Sequence, residues 1–315
     1  MEQILLFNPS IHLAGITQLK KYATLHFIDY VNEQQVIDYI NEHNITTIIT
    51  RMEVVTDRMI TDTSTLKVIA KNGIGIDNIS PLAAEYGIDI LNVPDGNINA
   101  VVEYVLGAIF LTAKKAIQHD KNVRTKQWQQ RDIQLTEEVA NKKILLIGFG
   151  NIAQKLAEKL FLFHLQVYAF DPYVSEAKMS FYNVKRVNQI HEVLADMDYF
   201  SIHVPLTEQT HHLLSNQEFN HFKKGAVLIH ASRGGVVDEE ALLRAIDKDI
   251  ISQAVLDVSE NEPSYREELR INERIILTPH IAGVTEQSKM VSAQILADTI
   301  IQYHQGKKPY NLVNV

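Results

Sequence analysis

The sequence predicts an α/β protein with two doubly wound domains, each built on a parallel sheet. Short apolar runs alternate with amphipathic helical segments along the chain, which is the pattern of βαβ units with buried parallel strands. The runs form two series, separated by a cluster of turn-forming residues at 94–97. The length of 315 residues agrees, since it corresponds to about two domains.

The first series predicts five strands and the second predicts six. The predicted strands are residues 4–7, 25–28, 47–50, 68–70 and 88–92, then 144–147, 166–170, 199–204, 226–230, 254–258 and 275–277. A long helix is predicted from about Ile98 to Gln118, and a last helix from about Thr285 to Gln305. That last helix is expected to return to the first domain, so we predict one domain of residues 1–97 plus 284–315 and another of residues 98–283. A cleft between two such domains is a favoured ligand site.

Composition excludes several classes of function. The chain has no cysteine, which removes disulfides, thiolate zinc sites, iron–sulfur clusters and cysteine nucleophiles. Its net charge of −8 gives no general attraction to nucleic acid or anionic membranes. The most apolar stretch, residues 101–113, contains Glu103 and is too short to span a membrane. A location in the cytoplasm is therefore expected, with no nucleic-acid or membrane partner.

A dinucleotide-binding motif follows the strand at 144–147. It reads Gly-x-Gly-x-x-Ala, with Gly148 for the tight turn, Gly150 for close approach to a pyrophosphate, and Ala153 for helix packing. Asp171 ends the next strand, near the position of the acid that binds the adenosine ribose, and a carboxylate there repels a 2′-phosphate. NAD is therefore predicted in preference to NADP. The alternatives are an ordinary strand-to-helix turn and, for Asp171 with Pro172, a simple turn dipeptide.

Three later segments place polar residues after apolar strands, where parallel strands face a ligand crevice. They are residues 230–238, 256–263 and 277–283, and they contain Arg233, Glu262 and His280. Together with residues 72–79, 203–207, Thr210 and Trp128, they resemble the NAD-dependent D-isomer-specific 2-hydroxyacid dehydrogenases over nearly the whole chain. The resemblance is closest to the phosphoglycerate and glycerate dehydrogenases. It implies a flavodoxin-like substrate domain, a Rossmann coenzyme domain and an active site in the cleft between them.

The resemblance assigns the catalytic roles to Arg233, Glu262 and His280. The chemistry is consistent, since an arginine can bind the carboxylate of a 2-oxo acid and polarise its carbonyl. Histidine can exchange the proton that hydride transfer requires, and a neighbouring carboxylate can orient it. Glu260 competes with Glu262 for that last role, but the family pattern places the glutamate directly before proline. The alternative interpretations are a surface arginine, a solvated glutamate and a buried structural histidine.

Further contacts are implied by the same resemblance. Implied cofactor-binding residues are Gly148, Gly150, Asn151, Ile152, Asp171, Pro172, His203, Val204, Pro205, Thr210, Ala231, Ser232, Arg233, Asp257, His280 and Gly283. Implied substrate-binding residues are Lys71, Asn72, Gly73, Ile74, Asn97, Arg233 and His280, with backbone N–H groups at 72–75 facing the substrate carboxylate. A plain glycine turn, a strand-end turn at His203 and Pro205, and an exposed lysine at position 71 are the alternatives.

Further expectations concern assembly, regulation, rival functions and metal binding. In the family, the stretch matching residues 121–141 helps to form a dimer, so a homodimer is expected. The chain ends soon after its last predicted helix, so no regulatory domain is expected, and Glu262 argues against the formate-type members, which have glutamine there. An NAD(H)-sensing protein without turnover and a dehydrogenase of an unusual substrate such as phosphite are the rivals. The adjacent pair His211 and His212 lacks a third ligand, so no metal is predicted.

Overall fold

The computed structural model describes residues 1–8, 11–29 and 32–313, and its strands form two separate sheets. The strands are β1 (Glu2–Phe7), β2 (Ala23–Ile28), β3 (Thr47–Thr50), β4 (Val68–Lys71), β5 (Asp89–Leu91), β6 (Lys143–Ile147), β7 (Gln166–Phe170), β8 (Lys185–Val187), β9 (Tyr199–Ile202), β10 (Ala226–His230), β11 (Ile251–Leu256), β12 (Ile275–Leu277) and β13 (Leu312–Val313). The α-helices are α1 (Leu13–Leu19), α2 (Glu33–His43), α3 (Asp57–Thr61), α4 (Leu82–Glu85), α5 (Ile98–Ala113), α6 (Ala116–Arg124), α7 (Asn151–Leu162), α8 (Glu176–Phe181), α9 (Asn216–Phe219), α10 (Glu239–Asp247), α11 (Glu267–Ile271) and α12 (Glu286–His304). Short 3₁₀ helices occupy Trp128–Asp132, Ile190–Glu192 and Leu194–Asp196.

The chain divides into two compact units. Unit 1 is Met1–Asn97 with Val284–Val315, and unit 2 is Ile98–Gly283. Unit 1 contains a six-stranded sheet in the order β13-β5-β4-β3-β1-β2. Its first five strands are parallel, in the flavodoxin-like order 2-1-3-4-5, and β13 adds to β5 in antiparallel direction.

Helix α12 packs within unit 1 on α1 and on the turn at residues 94–97, and a glycine in each of them allows the close approach. A side-chain carbon on Gly15 would lie 2.6 Å from the carbonyl oxygen of Ala293, and one on Gly96 would lie 2.1 Å from the hydroxyl of Ser292. The last long helix of the chain therefore completes the core around the first sheet, where Leu296 and other apolar residues of α12 are buried.

Unit 2 contains a parallel seven-stranded sheet in the order β12-β11-β10-β9-β6-β7-β8. Renumbered from β6, this is the Rossmann order 3-2-1-4-5-6 with one more strand. The strand order reverses between β6 and β9, and such a switch point opens a crevice at the carboxyl ends of the strands. The apolar residues of β6 are fully buried between helices on both faces, as expected for a central parallel strand. The two doubly wound α/β domains expected from the sequence are thus confirmed.

The long helix predicted from Ile98 to Gln118 is wrong in one respect, because the structure has two helices there. Helix α5 ends at Ala113 and α6 begins at Ala116, with Lys115 in the left-handed region at φ 45°. The hydroxyl of Thr112 also donates to the carbonyls of Ala108 and Ile109, a bond that bends helices. In the described ranges no helix is both long enough and apolar enough to cross a bilayer.

Candidate active site

The turn from β6 to α7 has the properties that a dinucleotide pyrophosphate requires. Gly148 has a φ of 92°, and a side-chain carbon on it would lie 2.7 Å from the carbonyl oxygen of His203. Gly150 caps α7 without a side-chain hydrogen bond, and a side-chain carbon on it would meet no atom within 4 Å. This open space beside Gly150 lies at the N-terminus of α7, where the helix dipole and backbone N–H groups favour an anionic group.

Asp171 is fixed at the carboxyl end of β7, next to this turn. One carboxylate oxygen accepts the N–H of Phe149 at 2.8 Å, and the other accepts the N–H of Tyr173 at 2.9 Å. Each oxygen keeps a further lone pair, and the residue is half-buried, so it can accept a hydroxyl from a ligand. The neighbouring Pro172 is exposed.

A loop after β9 faces the same turn. The backbone N–H of His203 donates to the Ile147 carbonyl at 2.7 Å, and its ring nitrogen Nε2 lies 2.8 Å from the Ser201 hydroxyl. Burial, and to a lesser extent the charge of His230, lowers the pKa of His203 to about 4, so its ring is neutral at physiological pH. Further along, the Thr210 hydroxyl donates to the Pro205 carbonyl at 2.6 Å, which closes this loop.

The central pair of the site is His280 with Glu262. Nδ1 of His280 lies 2.8 Å from Oε2 of Glu262, and Oε1 of Glu262 accepts the Ser259 N–H at 2.9 Å. Burial by itself would raise the pKa of Glu262. The two hydrogen bonds and the positive charges of His280 and Arg233 outweigh this effect, so the pKa lies below the usual value of 4.5. The side chains are 39% and 27% exposed, so ligands can reach them.

Glu260, the competitor for this role, is turned elsewhere. Its Oε1 lies 3.0 Å from Nε2 of His212 and accepts the N–H of Glu239. The structure therefore brings Glu262 to His280, while Glu260 binds at the start of α10. It also accounts for His212 as a hydrogen-bond partner of Glu260. In the described ranges no group of three or more His, Cys, Asp or Glu side chains could hold a metal ion.

Arg233 lies in the turn after β10, against the segment that bears Glu262. Its Nη1 donates to the Ser232 carbonyl at 2.8 Å, and its positive charge lowers the pKa of Glu262. Gly234 makes the close packing possible, because a side-chain carbon there would lie 2.0 Å from the Ser259 carbonyl oxygen. The carboxyl ends of β10, β11 and β12 thus bring Arg233, Glu262 and His280 into one region of unit 2.

Asp257 holds the loop on which His280 lies. It is fully buried, and its carboxylate accepts the N–H groups of Ile281 at 2.8 Å and Ala282 at 2.7 Å. The N–H of His280 itself donates to the Asp257 carbonyl at 2.9 Å. These bonds support His280 in the left-handed region at φ 54°, a conformation that is rare for residues with a side chain. Asp257, expected at the cofactor, therefore also has a local structural role.

Two tyrosines and a threonine extend this network, and the sequence reading missed them. The Thr278 hydroxyl donates to Asp257 at 2.5 Å and lies 2.6 Å from the Tyr104 hydroxyl, while Tyr265 donates to the Thr278 carbonyl at 3.0 Å. Burial raises the pKa of Tyr104 to about 12. The position of Thr278 just before Pro279 and His280 was the signal available in the sequence.

The predicted substrate loop of unit 1 begins with a buried lysine at the end of β4. Lys71 is only 9% exposed, and its ammonium donates to the Arg51 carbonyl and, at 2.5 Å, to the Asn78 side chain. The exposed-lysine alternative is therefore wrong, because the end of β4 is buried. The N–H of Asn72 donates to the Thr50 carbonyl.

The rest of that loop differs from the expected pattern of free backbone groups. The Gly73 N–H donates to the Lys71 carbonyl at 3.0 Å, whereas the N–H groups of Ile74 and Gly75 meet no acceptor in residues 1–8, 11–29 and 32–313. Ile74 is exposed. Asn97, at the end of unit 1, has a buried side-chain oxygen without a hydrogen-bond donor in the described ranges.

Comparison with known proteins gives a consistent result. The family model "D-isomer specific 2-hydroxyacid dehydrogenase, NAD binding domain" matches residues 106–282. The chain is 32% identical to a glyoxylate reductase of Pyrococcus furiosus, over 79% of this chain and 76% of that protein. It is 31% identical to a D-3-phosphoglycerate dehydrogenase of Methanocaldococcus jannaschii, over 83% of this chain and 50% of that protein.

The relatives also differ from this chain in extent. The chain spans about half the length of the curated phosphoglycerate dehydrogenases it matches. Among solved structures, a glyoxylate reductase from Paecilomyes thermophila superposes with a TM-score of 0.89 at 23% identity, covering 99% of this chain and 98% of that one. That likeness shows the shared fold.

Proposed function

Because the chain belongs to the family of D-isomer specific 2-hydroxyacid dehydrogenases, we propose that it transfers a hydride between NAD(H) and a small D-2-hydroxy acid or its 2-oxo acid. The main support is the hydrogen bond of 2.8 Å between Nδ1 of His280 and the Glu262 carboxylate. A histidine oriented in this way, beside an arginine, is what reduction of a 2-oxo acid requires. The named relatives include reductases of such acids.

The proposed mechanism assigns one task to each side chain. The nicotinamide, when bound, supplies or accepts the hydride. An ionised Glu262 accepts the Nδ1–H of His280, so the exchangeable proton is at Nε2. In reduction, His280 donates that proton to the developing alkoxide, and in oxidation Nε2 removes it from the hydroxyl group. Arg233 binds the substrate carboxylate with its guanidinium fork and polarises the adjacent carbonyl.

For the dinucleotide, we propose binding at Gly148, Gly150, Asn151 and Ile152, with Asp171 accepting the ribose hydroxyls. The loop with His203, Val204, Pro205 and Thr210, as well as Pro172, Ala231, Ser232, Asp257 and Gly283, is assigned to the same ligand. The bonds that fix Asp171 support a preference for NAD, since a rigid carboxylate repels a 2′-phosphate. The ratio of kcat/KM for NADH and NADPH tests this, and Asp171→Ser should reduce the ratio. A wild-type preference for NADPH would contradict the assignment.

For the substrate, we propose that the loop at residues 72–75 binds the carboxylate through backbone N–H groups. The amides of Ile74 and Gly75 are the better donors, because those of Asn72 and Gly73 already have acceptors. The buried ammonium of Lys71 favours a substrate without a second anionic group. Asn97 is assigned to the same region. A phosphorylated 2-hydroxy acid that is the best substrate by kcat/KM would contradict this part of the proposal.

The function is tested by measuring NADH oxidation with a panel of 2-oxo acids. The panel includes glyoxylate, pyruvate, hydroxypyruvate and branched or aromatic relatives. We expect turnover of at least one of them, in the range of 1–10³ s⁻¹ that is usual for enzymes. Tight NADH binding without turnover of any acid would instead support a sensor. NADH production from NAD and phosphite would support the other rival.

The homodimer and the cytoplasmic location expected from the sequence stay predictions. The stretch that matches the family's dimer-forming segment exposes large apolar side chains, among them Trp128 at 61% and Ile133 at 72%. Covering such side chains is a usual reason for association. A monomeric mass by light scattering would contradict the dimer.

A further inference from the structure

A buried carboxylate outside the proposed catalytic set lies beneath the segment that bears Glu262. Glu239 is the first residue of α10 and is only 4% exposed. Its Oε1 accepts the Ser259 hydroxyl at 2.7 Å and the Glu260 N–H at 2.9 Å. Its other oxygen lies 3.5 Å from Nε of Arg266. A buried carboxylate is retained where it is paired and hydrogen-bonded, and here both donors belong to one short loop segment.

Ser259 connects this carboxylate to the proposed active site. Its hydroxyl donates to Glu239, while its backbone N–H donates to Oε1 of Glu262 at 2.9 Å. Oε2 of Glu262 is then the atom that meets His280. The direction of the Glu262 carboxylate is thus fixed by a backbone group whose own side chain is fixed by Glu239.

The same segment also packs against the turn of Arg233. Gly234 packs against the Ser259 carbonyl so closely that no side chain fits there. In return, the carboxylate of Glu260 accepts the N–H of Glu239 at 3.3 Å, which makes the bond between α10 and the loop reciprocal. Residues 259–260 therefore contact both the start of α10 and the Arg233 turn.

We propose that Glu239 is a positioning residue, which holds residues 259–262 so that the Glu262 carboxylate orients the His280 imidazole. This inference rests on the proposed function for its catalytic meaning, but its structural part concerns Glu262 alone. Removing the carboxylate leaves two donors, the buried Ser259 hydroxyl and the half-buried Glu260 N–H, without their acceptor. The loop must then move to satisfy them, and Glu262 moves with it.

The main test compares Glu239→Ala with Glu239→Gln. The amide oxygen of glutamine can still accept hydrogen bonds from both donors. Glu239→Gln should therefore keep the kcat and the kcat/KM profile of the wild type. For Glu239→Ala we expect a loss in kcat of roughly tenfold, a fraction of what a proton-transfer group contributes, with a small change in the KM for NADH. The hydrogen bond from the Ser259 N–H lowers the pKa of Glu262. Losing this hydrogen bond should therefore also move the acidic limb of the kcat/KM profile to higher pH.

The second readout does not need activity. The ¹³C shift of the Glu262 carboxyl group reports its titration directly. In Glu239→Ala we expect its pKa to rise, because Glu262 loses the hydrogen bond from the Ser259 N–H. The titratable or charged groups that influence this carboxyl are His280, Arg233, His230 and Tyr265. All of them remain in every variant. If the wild type reduces no 2-oxo acid, the proposed function fails, whereas this titration still decides the role of Glu239.

Glu240→Ala is the matched control. Glu240 is the neighbouring carboxylate, binds the same Arg266 at 3.0 Å and is 56% exposed. Unlike Glu239, it makes no hydrogen bond with the described residues 259–262. It should leave the profile and the titration unchanged. If Glu239→Ala does not fold, Ser259→Ala takes its place and should shift the Glu262 titration in the same direction by less. An unchanged titration in the folded variant, or an equal shift in Glu240→Ala, would overturn the inference.

Discussion

The contact between Gly234 and Ser259 offers the sharpest single perturbation of the site. A side-chain carbon at position 234 would lie 2.0 Å from the Ser259 carbonyl oxygen, 2.4 Å from its carbon and 2.9 Å from the Glu260 nitrogen. Contacts of a side-chain carbon below 3.0 Å are essentially absent from real proteins. In Gly234→Ala the Arg233 turn and the loop with Glu262 must therefore separate by about 1 Å, and neither partner is the end of a flexible side chain.

The magnitude follows from that displacement. Forcing an extra carbon into a closely packed contact costs about 1–3 kcal/mol of stability. Misplacing a catalytic group by about 1 Å can reduce the rate by roughly 10²-fold. Gly234→Ala should thus fold, with a reduced free energy of unfolding, and its kcat/KM for the best 2-oxo acid should fall by about two orders of magnitude.

The assay combines urea unfolding with steady-state kinetics of NADH oxidation. Gly107→Ala is the control, because Gly107 lies in α5 and is exposed, and the added carbon would meet no atom within 4 Å beyond its chain neighbours and the adjacent helix backbone. Alanine there should leave kcat/KM unchanged and stabilise the protein by about 0.5–1 kcal/mol. A folded Gly234→Ala variant with wild-type kcat/KM would show that the spacing of the two loops is not required for catalysis.

Three other substitutions test separate parts of the structure. Because the pKa of Glu262 is lowered in the folded state, its charge stabilises the fold above its unfolded pKa, and this contribution is lost as the pH falls through its folded pKa. Glu262→Gln should therefore be less stable than wild type at pH 7 and equally stable in acid, by urea unfolding at each pH. Lys71→Met removes the donor to the Asn78 side chain and to the Arg51 carbonyl, and should cost about 1–3 kcal/mol in thermal unfolding. Gly96→Ala places a carbon 2.1 Å from a hydroxyl on α12, and should lower the Tm by several degrees; an unchanged Tm would contradict this packing.

Most of the fold follows from the sequence because buried parallel strands leave a strong apolar signal. Strands β3, β4, β6 and β10 lie within or very near the predicted runs, since each is covered on both faces. Strands β8 and β13 were not predicted. They have three and two residues at sheet edges, where few apolar residues are needed. The break before α6 depends on a left-handed Lys115, which no residue preference indicates.

The site was less predictable than the fold, for a physical reason. Gly148 and Gly150 could be located because a turn and a close approach allow only glycine. The contacts of Glu239 and Asp257 could not, since both depend on loops that meet only when strands β10, β11 and β12 align. The same holds for Lys71, because the partners of its ammonium, the Arg51 carbonyl and the Asn78 side chain, lie in two other loops.

The central claim is that Arg233 and His280 perform 2-oxo acid reduction with NADH. The most direct measurement is kcat/KM for the best 2-oxo acid of the panel in the wild type, Arg233→Ala and His280→Ala, with each fold verified by circular dichroism. We predict a loss of about 10²–10⁴-fold for His280→Ala, which removes the proton donor. A comparable loss is predicted for Arg233→Ala, with a raised KM for the acid. Wild-type turnover in both variants would contradict the account.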